Sequence, residues 1–171
     1  MEKYERFLCD GVEVLHVRIS LPHELRSDAI RAFFEQIGEN AYAFCKNELL
    51  PHAENAYHAQ EDPRRQMRYR PFRYRLRGTV CYENEKLLSV WIEASLLREG
   101  EAARSFCDAQ NFSKEDGFLL SPQDALSLYT GMSPMKTWNK NIQNLLFRDR
   151  DVRMLCDGVW QPFNEFQETK K

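Results

Sequence analysis

The chain has no C-x-x-C pair, no G-x-S-x-G, no glycine-rich phosphate loop and no apolar run near the roughly 18 residues of a membrane-spanning helix. Each absence removes a class of protein. The five cysteines (Cys9, Cys45, Cys81, Cys107, Cys156) are odd in number and dispersed, which indicates neither a disulfide framework nor a zinc ribbon. Reduced thiols in a cytoplasmic protein are the expectation. Seven glycines leave little backbone for building a phosphate cradle. The opening MEKYERFLCDG has no apolar core of a leader peptide, so none is expected. No cofactor, metal or catalytic residue is called, and no membrane association.

What is present is a chain of 171 residues, 43% hydrophobic and 29% charged, enough for a real core. It reads as a single domain over residues 1–171. The net charge of −2 argues against a general nucleic-acid binder. Against that near-neutral body, residues 63–78 read PRRQMRYRPFRYRLRG, with seven arginines and no acid. From Phe72 onward apolar and cationic residues alternate. In an extended strand Phe72, Tyr74 and Leu76 would line one face, and Arg73, Arg75 and Arg77 the other.

The rest of the chain reads in order. Residues 1–21 form a hairpin turning at Asp10-Gly11. Leu15, Val17, Ile19 and Leu21 take one face of its second strand, opposite Val14, His16, Arg18 and Ser20. Residues 27–50 form a helix capped by Ser27, with Ile30, Phe33, Phe34, Ile37, Ala41, Phe44 and Cys45 as its apolar stripe. Gly38 hints at close packing, and Pro51 should end the helix. Residues 52–66 lack an apolar period and read as a connection.

Antiparallel strands follow over 68–112. Their hydrophobic pattern sets Arg75 across from Glu93 and Arg77 across from Trp91. Helices are expected over 122–146, the first begun by Ser121-Pro122 and ended by Gly131, the second carrying Trp138, Ile142, Leu145 and Leu146. A C-terminal tail over 147–171 holds a short hairpin at Asp157-Gly158. The string LCDGV occurs at both 8–12 and 155–159. Asp-Gly is a common turn, and the two halves otherwise differ, so duplication is not needed to explain it.

The fold expected from this is α+β: an antiparallel sheet of about five strands, one long helix packed on it, and two shorter C-terminal helices. Two readings of the arginine strand stay open. Guanidinium groups pair bidentately with carboxylate and phosphate, which suits an anion-binding face. The simpler alternative is a solvated surface neutralised by Glu93 and stacked on Trp91, each pair worth about 0.2–1 kcal/mol. His52 and His58, near Glu54, stand six apart and do not share a helix face as a zinc pair would. His16 and His23 read as surface or capping residues.

The segments KLLSVWIEASL (86–96) and QNFSKEDGFLLSPQDAL (110–126), with Leu88-Ser89-Val90, Asn111-Phe112-Ser113 and Asp116-Gly117, resemble the bacterial domain of unknown function found in RsiV-type anti-sigma-V factors. The likeness runs over roughly residues 15–126. Where that family carries a Gly-Gly-Ala-His turn, this chain has Arg98-Glu99-Gly100-Glu101-Ala102-Ala103. The resemblance implies an α+β fold with a helix against an antiparallel sheet. No residue matches that would carry the lysozyme binding known for some of those factors.

The function expected is a non-catalytic binding module for an anionic ligand or acidic protein surface. Its contact residues would be Arg73, Arg75, Arg77 and Trp91. The alternatives are an enzyme with a site between sheet and C-terminal helices, and nucleic-acid binding along the arginine strand.

Overall fold

The chain is described by a computed structural model over residues 1–60, 62, 66, 68–98, 100–131, 141–149 and 151–163. It opens with β1 (Glu2–Cys9) and β2 (Val12–Ser20), paired antiparallel. A long helix follows as α1 (Asp28–Phe44), a π-helical turn (Cys45–Leu49) and α2 (Leu50–His58). Then come β3 (Phe72–Glu83), β4 (Leu87–Leu97), β5 (Arg104–Ser113), α3 (Pro122–Thr130), β6 (Ile142–Phe147), β7 (Val152–Cys156) and β8 (Val159–Pro162).

Two sheets result, which corrects the expected single antiparallel one. The larger is mixed, in the order β1-β2-β3-β4-β5, and the smaller runs β6-β7-β8. The reason lies in the crossover. A helix stands between β2 and β3, and such a connection returns the chain parallel to the strand it left. Leu15 to Ser20 accordingly pair in parallel with Phe72 to Arg77.

The helix is also longer than expected, 31 residues in all. Ser27 caps it, its hydroxyl accepting from the Ile30 amide at 3.4 Å. Pro51 does not end it. Proline lacks an amide hydrogen and its ring crowds the carbonyl four residues back. Here the turn before it is widened, with the Leu50 amide donating to the Cys45 carbonyl, five residues back. That π-turn makes room for the ring. It also absorbs one residue, so that Cys45, Leu49, Ala53 and Tyr57, each four apart, stay buried on one side. Gly38 is buried where a side chain would run into Met1 and Leu21, the close approach its position suggested.

The expected second C-terminal helix is corrected as well. Ile142, Leu145 and Leu146 belong to β6, while Trp138 lies outside the described residues. The first expected helix forms, as α3. Ser121 caps it by accepting from the Asp124 amide at 3.2 Å, and Gly131 ends it in the left-handed conformation.

The described chain divides into two compact units. The first comprises Met1–Glu24, Arg31–Gly78 and Glu93–Cys107. Leu15, Val17, Ile19, Phe34, Leu49, Phe72 and Leu76 are buried there, and α2 packs on β1 and β2. The second comprises Leu25–Ile30, Thr79–Ile92 and Asp108–Lys171. Its core gathers Leu87, Leu126, Ile142, Leu145, Phe147 and Val152. Polar groups tie β5 to β6 within it: the Asn111 amide donates to the Leu145 carbonyl at 2.7 Å, and Asn144 donates to Asp108 at 2.8 Å. Among the described residues, no helix is long and apolar enough to cross a membrane.

Candidate functional site

The alternation in β3 comes out as its side chains dictate. Phe72 and Leu76 are buried and Tyr74 half-buried, whereas Arg73, Arg75 and Arg77 are exposed. Register then assembles a face that no single strand contains. Arg73 lies beside His16, Arg75 beside Arg18 and Arg77 beside Ser20. Across β2, His16 lies beside Arg6, Arg18 beside Tyr4 and Ser20 beside Glu2. Partners in register point to the same side of a sheet, so these nine positions form three rows on one face.

The charges on that face are unevenly matched. On the β1 side Glu13 serves Arg6 at 3.7 Å and His16 at 2.8 Å, and Arg6 also donates to the Tyr4 hydroxyl at 2.6 Å. The Ser20 hydroxyl donates to Glu2 at 2.5 Å. On the β2–β3 side the pattern changes. Among the described residues, no ion pair involves Arg18, Arg73, Arg75 or Arg77, and none joins Glu93 to Arg75. Arg18 and Arg75 are like charges at neighbouring positions, an arrangement that opposes pairing by up to about 1 kcal/mol.

At the start of β3 the face runs into a cleft of about 470 Å³ lined by Arg70, Pro71, Arg73, Leu97, Arg98, Gly100 and Glu101. Glu101 lies 3.8 Å from Arg98 and 3.5 Å from Arg104. Arg98 rests over the Phe72 ring at 5.8 Å, and its Nε is buried with no hydrogen-bond partner among the described residues. Among its described lining residues three are arginines and one is a glutamate, a setting for a carboxylate or phosphate group.

Trp91, the fourth expected contact residue, belongs to the other unit. It is half-buried and meets Trp160 edge-on at 5.0 Å and 70°. His16 sits beside Glu13 on the exposed face, and His23 is exposed, 4.0 Å from Glu24.

One cluster escaped the sequence reading because the segment carrying it is helical. His58, in the last turn of α2, brings Nε2 to 3.3 Å from the Cys9 Sγ. Donor atoms of Cys9, Asp10 and His58 all lie within 4.8 Å of one another. The Cys9 thiol is held above its ordinary value by desolvation first, then by the charges of Asp10 and Glu54. A nucleophilic cysteine needs the opposite shift. The missed signal was Glu54 and His58, four apart and so on one helix face, facing a turn cysteine far away in sequence.

No protein-family model matches the chain, and no curated protein is similar to it. Among solved structures it is similar to a DUF3298-family member from Bacteroides fragilis at 11% identity, over 90% of this chain and 80% of that one, with a TM-score of 0.46. It is also similar to a DUF3298-family protein from Pseudomonas aeruginosa at 15% identity, over 90% and 79%, again with a TM-score of 0.46. Likenesses this distant assign no activity and carry no link to anti-sigma factors.

Proposed function

We propose that this chain is a non-catalytic interaction module that takes an acidic protein surface on the arginine face of β1–β3. The observation that carries the reading is the set Arg18, Arg73, Arg75 and Arg77, exposed on adjacent strands and without an ion pair among the described residues. A flat row of guanidiniums at strand spacing suits several carboxylates at once, each held bidentately. The cleft beside Arg70, Arg73 and Arg98 would hold one of them at its edge. Repulsion between Arg18 and Arg75, which no ion pair among the described residues offsets, would be relieved on binding. The net charge of −2 disfavours nucleic acid as the partner. The odd, dispersed set of five cysteines suits a cytoplasmic setting.

The test is binding to immobilised poly-glutamate, read for the native chain and for Arg73→Glu with Arg75→Glu. The double variant should lose binding by at least about tenfold, with stability unchanged within about 1 kcal/mol, as for surface substitutions. Equal binding by both proteins removes the reading. Preference for single-stranded DNA over poly-glutamate, falling steeply with salt, replaces it with the nucleic-acid alternative.

A further inference from the structure

We propose that Cys9, Asp10 and His58, with Glu54, form a binding site for a divalent transition-metal ion of the zinc type. The site is separate in residues from the arginine face and does not rest on the reading above.

Two independent elements supply the donors. Cys9 and Asp10 come from the β1–β2 turn, and His58 from the last turn of α2, 49 residues away along the chain. Within an ordinary zinc tetrahedron, sulfur at about 2.3 Å and nitrogen at about 2.0 Å from the metal stand about 3.5 Å apart. Sγ of Cys9 and Nε2 of His58 stand 3.3 Å apart already. A carboxylate oxygen of Asp10 completes a triangle of three ligand atoms, each within 4.8 Å of the others. Glu54 precedes His58 by one helical turn on the same face, and its charge reaches Cys9. It lies outside that triangle of donor atoms, so it serves as a nearby charge and a water molecule would take the fourth position.

Charge points the same way. Two carboxylates and a thiol gather here, and among the described residues neither Asp10 nor Glu54 has an ion pair. A divalent cation would supply the missing positive charge. The donor set decides which cation: sulfur and imidazole select zinc or a near neighbour over magnesium and calcium, which prefer all-oxygen shells. On binding, the Cys9 S–H bond breaks, its proton passes to solvent, and the thiolate forms the bond to the metal. The metal would then tie the tip of the first hairpin to the end of the long helix.

The chain contains its own control. Cys156-Asp157-Gly158 repeats the cysteine, the acid and the turn, and no histidine stands against it in the described structure.

The experiment titrates the full chain with zinc chloride alone by calorimetry in two buffers of different ionisation heat. It then repeats the titration with cobalt(II), following thiolate-to-cobalt charge-transfer absorption. One equivalent bound, with proton release and a thiolate band, is expected. Cys9→Ser should abolish the band, and His58→Ala should weaken binding by at least about tenfold, the scale of losing even an outer partner of a metal site. Cys156→Ser should change neither. His58 is exposed, so His58→Ala keeps the test sound should Cys9→Ser fail to fold. Zinc binding no tighter than millimolar, or a cobalt band that persists in both Cys9→Ser and His58→Ala, overturns the proposal.

Discussion

The two Cys-Asp-Gly-Val turns have the same backbone and different company. Cys9 pairs with Val12 around Asp10-Gly11, and Cys156 with Val159 around Asp157-Gly158. Both acids take a positive φ, 50° and 51°, and both glycines take 78°. Two consecutive positive φ values match the right-handed twist of a hairpin, which is why Asp-Gly recurs there. The surroundings differ. The first turn meets His58 and feels the charge of Glu54, and the second has its own aspartate as the charge acting on its cysteine. Local sequence thus determines the shape of a turn, while chemistry is added by whatever the fold brings against it.

The largest expected effect tests the shared backbone. Nothing lies within 4 Å of where a side chain would project from Gly11 or Gly158, so an added methyl meets no clash. The penalty for Gly11→Ala and for Gly158→Ala is then conformational, about 1–2 kcal/mol each in urea unfolding. A loss at one turn and not the other would break the equivalence.

The next effect separates the turns. With zinc at about ten times its Kd, alkylation of Cys9 by iodoacetamide should slow roughly tenfold, since only the metal-free fraction reacts. Alkylation of Cys156 should continue at its former rate, as read by peptide mass mapping. Equal protection of both would mean that the histidine makes no difference.

The smallest effect concerns the second turn alone. Desolvation first, and then the charge of Asp157, hold the Cys156 thiol above its ordinary value. A carboxylate disfavours the thiolate, so Asp157→Asn should lower that pKa and speed alkylation of Cys156 at fixed neutral pH. No change in the rate–pH profile would mean that desolvation alone sets the shift.

Features decided within a few residues were legible in the sequence. The alternation from Phe72 to Arg77, the Ser27 and Ser121 caps and both Asp-Gly turns are of this kind. What was not legible depended on distant partners. The parallel pairing of β2 with β3 is a choice of neighbour, and nothing in β3 itself declares it. In β6, Leu145, Leu146 and Phe147 are buried in succession, and such a run matches a buried helix and a buried strand equally well. The arginine row was readable, but Arg18 joined it only through register. Cys9 and His58 could be matched only once residues 50–58 were known to be helical.

That last recognition turns on the widened turn at Cys45–Leu49. Each residue of an α-helix advances the azimuth by about 100°, so one residue more or fewer in that turn would swing the whole distal segment by more than a quarter circle. Ala53 and Tyr57 would leave the sheet, and Glu54 and His58 would sweep away from the hairpin tip together. That five-residue stretch therefore acts as the indexing tooth of the helix, setting the direction in which everything beyond it points.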